Sequence, residues 1–404
     1  MTHVLKKKIM LLGGNRYQIP VIRAAHALGL HVITCDYLPN NYAHKFSDEY
    51  CNASVLDQKA VLKAATDLRV DGIMSFACDP GVVTAAYVAE KLGLPHSGSF
   101  EAVSILQNKG RFRKFLSDHG FNVPMSRTYR AFEALQEETE LFHWPVIVKP
   151  TDSAGSKGVS RVDSPDQLQE AFVYAMDHSF CKEVIVEDFL EKQGASSDTD
   201  SFSIDGELRF VSFNAQYFDA KAINPYTPAA YGWPATISET HQRELTGEIQ
   251  RLLKLLGMRS SIYNIETREC IDGKAYIMEC SPRGGGNRLA EVLKYATGVD
   301  LIRGAVQAAI GETVDDVDQI PYNGAWAEVV IHSDAAGIFK ELWVAEDVRD
   351  NVVERDLWVQ PGDHVDPFEA ANDSLGTLVF RFNTQGEMRS FVDSIRDNIR
   401  VILR

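Results

Sequence analysis

The chain has 404 residues, 45% of them hydrophobic, 24% charged and 10% aromatic, the composition of a folded globular protein large enough for two or three domains. Forty-one basic residues against 56 acidic ones leave a formal charge of −15. That argues against a broad nucleic-acid surface, which needs clustered positive charge to displace counterions. The apolar runs are far shorter than the roughly 20 residues that cross a bilayer, so no membrane partner is expected. Six cysteines at 35, 51, 78, 181, 270 and 280 form no CxxC pair, which disfavours a disulfide framework or zinc site and fits a reducing cytoplasm.

Near the N-terminus an apolar run stops at Leu12 and meets Gly13-Gly14, so it reads as a first strand rather than a signal peptide. Pro20–Leu28 follows as a helix. Its proline sits in the first turn, where the missing N–H is harmless, and Gly29 lies beyond its end. His31–Cys35 is the next strand, closed by Asp36, and then come a helix over 57–68, a strand at Gly72–Phe76 and a helix over 81–92. Strands separated by helical stretches imply βαβ units and a parallel, doubly wound sheet. The first strand runs into Gly13-Gly14-Asn15-Arg16-Tyr17, without GxGxxG, so a dinucleotide cradle is not expected. Gly13-Gly14, Asp36 and Cys78-Asp79-Pro80 fall at carboxyl ends of parallel strands, where such sheets place ligands.

Phe100–Gly120 reads as one helical stretch leading into a second region. There 145–150 and 183–187 read as strands, and 200–213 as a hairpin turning at Asp205-Gly206. An amphipathic helix over 239–256 precedes two strands, Ser261–Glu266 and Lys274–Glu279, joined by a turn at Asp272-Gly273. Beyond about 312 the chain changes to short β runs at Trp326–Ile331 and Gly376–Phe382, with a last helix near 385–398.

Three features of the middle region carry chemistry. Lys149 ends an apolar strand and is followed by Ser153, Gly155, Ser156, Lys157 and Gly158. Small residues with two glycines let backbone N–H groups close over an anion, and Lys157 adds mobile charge. The loop lacks the GxxxxGK[ST] pattern, and the strand-like Val159–Val162 after it does not suit a nucleophile elbow. The second feature, Glu187-Asp188-Phe189-Leu190 after a strand, can present backbone edges and apolar walls to a flat heterocycle. The third is the pair Glu266 and Glu279. The turn at 272–273 lies about midway between them, which sets them opposite each other on adjacent strands. Opposed carboxylates repel unless a cation lies between them, and Mg²⁺ takes carboxylates together with phosphate oxygens. Ser281-Pro282-Arg283 and Gly284–Arg288 follow at once, offering a guanidinium fork and close backbone approach to a ligand.

Taken in order, Asn108-Lys109, the Lys149 strand, the 153–158 loop, Glu187–Leu190, Asn264-Ile265-Glu266 and Glu279–Gly286 resemble the ATP-grasp superfamily over roughly 100–310. The branch resembled is that of the carboxylate–amine and thiol ligases, among them L-amino-acid ligases, together with the related folds of biotin carboxylase and the carbamoyl-phosphate synthase large chain. The resemblance implies an α/β protein, α+β in part, with a doubly wound parallel domain at 1–105. An ATP-grasp domain would span 106–311, its lid about 125–200, with a small α+β domain at 312–404.

The resemblance also implies roles for particular residues. Lys109 and Lys149 would hold the α- and β-phosphates of ATP, the loop of Ser153, Gly155, Ser156, Lys157 and Gly158 would close over the triphosphate, and Glu187, Asp188, Phe189 and Leu190 would meet the adenine. Glu266 and Glu279 would ligate Mg²⁺ (or Mn²⁺), and Arg283 would steady the transferred phosphoryl group. Beside the glycines, Arg283 and Arg288 are also candidates for holding the acyl carboxylate. Two departures from the family pattern stand out. Ser281 replaces an asparagine that commonly ligates metal, so it would ligate more weakly or a water would substitute, and no Gly-x-Glu follows the hinge closely, which leaves Asp198 or Asp200 as candidates for the ribose.

The implied function is an ATP-dependent carboxylate–amine ligase that makes an acyl phosphate from a small carboxylate, such as an amino acid, and releases ADP and phosphate. A bicarbonate-dependent carboxylase and a non-catalytic nucleotide-binding subunit are the alternatives. Dimers are frequent among similar proteins, so the resemblance allows a homodimer, while the sequence leaves the oligomeric state open. Tyr226–Pro234, with Trp233, reads either as a substrate-pocket wall or as a packing element, and His26, His96 and His143 read as structural histidines.

Overall fold

The computed structural model describes residues 6–404 apart from Ala154 and Ser156. Strands β1 (Lys8–Leu12), β2 (His31–Asp36), β3 (Glu49–Asn52) and β4 (Gly72–Ser75) form a parallel sheet in the order β3-β2-β1-β4. The apolar run of β1 is buried on both faces, as a parallel sheet covered by helices requires. Met10 and Leu12 meet helices α2 (Gln58–Leu68) and α3 (Asp79–Leu92), whereas Ile9 and Leu11 share a core with helix α1 (Ile19–Ala27).

The stretch from 100 to 120 is two helices, α4 (Phe100–Gln107) and α5 (Lys109–Asp118), rather than the one expected. Asn108 breaks it. Its backbone is extended, and its side chain accepts from the Arg111 N–H at 2.9 Å, which caps α5. The break places Lys109 on the first turn of α5, with its own N–H on the carbonyl of Thr151 at 2.8 Å.

Strands β5 (Ser126–Tyr129), β6 (Val146–Pro150), β7 (Ser160–Val162) and β8 (Val184–Asp188) form an antiparallel sheet in the order β5-β8-β6-β7. Helices α6 (Phe132–Glu137) and α7 (Leu168–Asp177) contribute Leu135, Phe172 and Ala175 to its core. Next come β9 (Ser197–Ile204), β10 (Glu207–Phe210), β11 (Ala215–Phe218), β12 (Pro228–Trp233), helix α8 (Glu239–Leu255), β13 (Ser261–Glu269) and β14 (Ala275–Ser281). Four of these strands pair antiparallel in the order β10-β9-β13-β14. Helices α9 (Leu289–Thr297) and α10 (Leu301–Ala309) return to the first sheet and join the core of α1.

The C-terminal region contains β15 (Ala325–Ile331), β16 (Gly337–Val344), β17 (Val352–Leu357), β18 (His364–Val365), β19 (Gly376–Phe382) and β20 (Ile399–Leu403). Its larger sheet has the order β11-β12-β15-β19-β17, so it draws two strands from the chain before residue 312. The last expected helix is two pieces, Gln385–Asp393 and Ile395–Asn398, broken at Ser394, whose backbone leaves helical geometry. Among the described residues no helix is long and apolar enough to cross a membrane.

Candidate active site

The end of β6 and the start of α5 bring two lysines together. Lys149 is nearly buried and its ammonium lies 2.7 Å from Glu187 Oε2 at the end of β8. Arg113 Nε holds the other oxygen of Glu187 at 2.7 Å, and Arg113 also donates to the carbonyl of Met278 at 2.8 Å. Burial opposes the charge on Glu187, but Arg113 and Lys149 outweigh it and hold the carboxyl down at about 2. Burial draws the Lys149 ammonium below its ordinary range, with Glu187 opposing. One turn before Arg113, Lys109 lies 3.1 Å from Glu279 Oε1 and donates to the carbonyl of Ser153 at 2.9 Å. Sequence reasoning missed Arg113, although its i+4 spacing from Lys109 on one helix face was the available signal.

The loop after β6 runs past these lysines. Ser156 lies outside the described residues, whereas Gly155 and the exposed Lys157 are described. Gly158 has φ +73°, and a Cβ there would stand 2.8 Å from both Pro150 Cγ and His178 Cβ, so only glycine fits. On the hinge, the Glu187 carboxylate turns inward to its two cations. Asp188 is held by the backbone N–H of His143 at 2.9 Å and by its ring nitrogen at 2.8 Å. Phe189 lies under the Arg161 guanidinium at 4.7 Å. Leu190 packs against Cys270, Tyr276 and Met278, and its carbonyl accepts from Arg268 at 3.3 Å.

Glu266 and Glu279 are register partners on β13 and β14, with a bulge directly after Glu266. Arg268 lies 3.3 Å from Glu266, so each carboxylate leans on a separate cation. Behind them Asp198 and Asp200 project from β9, which pairs with β13. Asn264 donates to both, at 2.9 Å to Asp198 and 3.4 Å to Asp200, and the Gly285 N–H donates to Asp200 at 2.8 Å. Burial pushes both aspartates up to about 7, with the charge of Glu266 adding to the effect at Asp198. Asp200 Oδ2 is buried without a hydrogen-bond partner among the described residues. This surplus of carboxylate oxygen fits a hard divalent cation held by Glu266 and Glu279. Ser281 donates to Asp79 at 3.0 Å and accepts from Gln107 at 2.7 Å, which leaves one lone pair on its hydroxyl. Elsewhere, Asp219, His332 and Asp334 cluster with metal-like spacing, but Arg396 already pairs with both aspartates.

The glycine-rich loop after β14 is gripped from both sides. Arg283 forks onto Asp79 at 2.9 and 2.7 Å, so the start of α3 reaches the site, as the strand-end rule had placed it. A Cβ on Gly284 would lie 2.1 Å from the Phe76 ring, and one on Gly285 would lie 2.9 Å from Asn264 Nδ2. Arg288 pairs through one nitrogen with Glu291 at 2.9 Å and Glu354 at 2.7 Å. Trp233 is wholly buried, with its indole N–H on Ser212 at 3.1 Å, so it is a core residue rather than a pocket wall. Tyr231, two residues earlier, touches the loop, accepting from Asn287 at 3.0 Å.

Three family models match the chain in order: an ATP-grasp N-terminal domain at 22–96, an ATP-grasp domain at 142–291 and the L-amino acid ligase C-terminal domain 2 at 329–404. The chain therefore carries an ATP-grasp domain, preceded by an ATP-grasp N-terminal domain and followed by a domain like the C-terminal one of L-amino acid ligases. A formate-dependent phosphoribosylglycinamide formyltransferase of Synechococcus sp. (strain WH7803) is 31% identical over 189 residues, covering 46% of this chain and 48% of that protein. The chain spans less than half the length of the curated relatives it matches. Among solved structures, an L-amino acid ligase from Bacillus licheniformis aligns with TM-score 0.81 at 20% identity, over 99% of each chain. A phosphoribosylglycinamide synthetase from Anaerococcus prevotii aligns with TM-score 0.77 at 22% identity, over 99% of this chain and 100% of that one. At these identities the likeness is one of fold.

Proposed function

We propose that the chain is an ATP-dependent carboxylate–amine ligase acting on a small carboxylate, with an amino acid as the leading class. The reading rests on one observation: Lys109 reaches both Glu279 and the carbonyl of Ser153, Lys149 pairs with Glu187, Glu266 stands opposite Glu279, and Arg283 follows just beyond. The match of 329–404 to an L-amino acid ligase domain supports the substrate class.

A carboxylate is a poor electrophile until phosphorylation gives it a leaving group. Transfer of the γ-phosphoryl group of ATP would form an acyl phosphate and ADP; attack by an amine would then form the amide and expel phosphate. Two anions must first meet, and the lysines neutralise the phosphates while Arg283 steadies the group in transit. Glu187 acts at one remove: it fixes the Lys149 ammonium, with Arg113 fixing Glu187. A divalent cation held by Glu266 and Glu279 would supply further positive charge against the phosphate oxygens. The 153–158 loop would exclude the water that hydrolyses an acyl phosphate.

The test is phosphate release from Mg·ATP with pooled amino acids and small carboxylates, in hydroxylamine or bicarbonate. Hydroxamate formed with a particular acid is the expected result. Phosphate released only with bicarbonate would replace the proposal with a carboxylase, and ATP binding without turnover in any pool would replace it with a non-catalytic role. Glu279→Gln should remove turnover while the chain stays folded.

A further inference from the structure

Across the C-terminal sheet one row of directly paired residues runs Gln216, Tyr231, Glu328, Val379, Glu354. Directly opposed residues share a face, so all five look the same way. The two ends of the row show where: Gln216 donates to Asp198 at 3.2 Å, and Glu354 pairs with Arg288 at 2.7 Å. The row therefore floors the region beneath the glycine-rich loop. Its central member, Glu328, is wholly buried, and neither carboxylate oxygen has a hydrogen-bond partner among the described residues. Arg288, also buried, leaves its second terminal nitrogen without a partner in the same region. A buried carboxylate without a partner is costly, and burial pushes the Glu328 carboxyl well above its ordinary range, so it keeps a proton unless a cation reaches it. Arg288 acts on Glu328 through its charge but makes no hydrogen bond to it, its Nη2 and Nε being turned to Glu291 and Glu354. Tyr17 closes the side, donating to Asn287 at 2.9 Å and standing edge-on to Trp358 at 5.7 Å.

We infer that Glu328 is a specificity-determining residue that receives the ammonium group of a substrate lying under the Gly284–Arg288 loop. The inference rests on the ligase reading for the identity of the ligand. Two carboxylates already bracket the single guanidinium, and Glu328 adds a third, so this cluster suits a ligand that brings its own positive charge. An α-amino acid is the matching class, since its ammonium can donate to Glu328 and its carboxylate can accept from the free nitrogen of Arg288.

The test measures binding by tryptophan fluorescence in Mg·AMPPNP. L-Alanine, L-leucine and L-phenylalanine are each compared with the acid lacking the amino group: propionate, 4-methylpentanoate and 3-phenylpropionate. In the native chain at least one amino acid should bind ten times more tightly than its des-amino partner or better. In E328Q that preference should fall below threefold, with AMPPNP affinity unchanged. A native chain without preference, or a preference that survives E328Q, overturns the inference. Should E328Q also lose AMPPNP binding, E328D decides: it keeps the charge but shortens its reach, and an unaltered preference there counts against Glu328. Glu328-dependent preference without hydroxamate formation in any pool would sink the ligase reading alone. Hydroxamate formation with a preference indifferent to Glu328 would sink the inference alone.

Discussion

Glu187 and Asp200 are both acidic side chains buried in the middle of the chain, 3% and 0% exposed, yet their surroundings are opposite. Glu187 has a cation on each oxygen, Arg113 and Lys149, and its carboxyl is held down at about 2. Asp200 has one oxygen bonded to Gly285 and Asn264, the other without a partner, and it is pushed up to about 7. A buried charge whose partners come from the protein is part of the frame. One whose partners are missing is set up for something the protein binds. Glu187 belongs to the first kind; Asp200 and Glu328 belong to the second.

The largest effect should come from breaking the complete network. Glu187→Gln leaves Arg113 and Lys149 facing each other, buried, without their shared anion, and the expected cost is about 3–5 kcal/mol of stability. Urea denaturation measures it, and a loss below about 1 kcal/mol would show that the triad is not a structural unit. Lys149→Ala is milder on the fold, because Glu187 keeps Arg113. Its effect belongs to turnover, where removing a preorganised charge next to the transferred group costs on the order of 10²–10³ in kcat. A smaller stability loss in Lys149→Ala than in Glu187→Gln, with the reverse order in activity, is the expected pattern.

How much of this was legible in the sequence depends on how local each feature is. The opposition of Glu266 and Glu279 was readable because Asp272-Gly273 marks the turn of their hairpin, although the bulge after Glu266 was not. The parallel sheet was readable from its apolar runs, except for β3, whose Glu49–Asn52 offers no apolar pattern. Asn108 hid a helix break because asparagine also occurs inside helices, and only its extended backbone shows the cap. The row from Gln216 to Glu354 was invisible. It is assembled by pairing strands far apart in the chain, and Glu328 within the apolar Ala325–Ile331 looks from sequence like the exposed position of an edge strand.

The incomplete cluster should answer to pH where the complete one does not. Asp198 and Asp200 have folded-state values raised from the ordinary 3.8 to about 7. Their contribution to stability is therefore fully present below about 4 and is lost as the pH rises through about 7. Glu187 runs the other way: lowered to about 2, it contributes above about 4.5 and loses that only as the pH falls toward 2, so it is silent between 5 and 8. Without divalent cations, stability should drop by about 1–3 kcal/mol from pH 5 to 8. Asp198→Asn should flatten that slope, and a slope unchanged in the variant would remove these aspartates from consideration. With ATP present, the Mg²⁺ needed for half-saturation should rise below pH 7, since protonating Asp198 and Asp200 removes negative charge from behind Glu266 and Glu279.

The smallest effect tests whether the loop over the incomplete cluster is braced. Asn287 and Arg288 both have left-handed backbones, φ +48° and +58°, a strained choice for residues with a Cβ that persists only when neighbours over-determine it. The neighbours are identifiable: Tyr17 donates to the Asn287 side chain at 2.9 Å, and that side chain donates to Tyr231 at 3.0 Å. Tyr17→Phe keeps the ring against Trp358 and removes only the first of these bonds, so the stability cost should be about 1 kcal/mol. The more telling readout is which KM moves. If the brace holds the loop over Glu328, the KM for the carboxylate substrate should rise a few-fold while that for ATP stays put, since Lys149 and Glu187 share no bond with Tyr17. Equal changes in both would mean that the two clusters are one unit, and the contrast between Glu187 and Asp200 would lose its functional meaning.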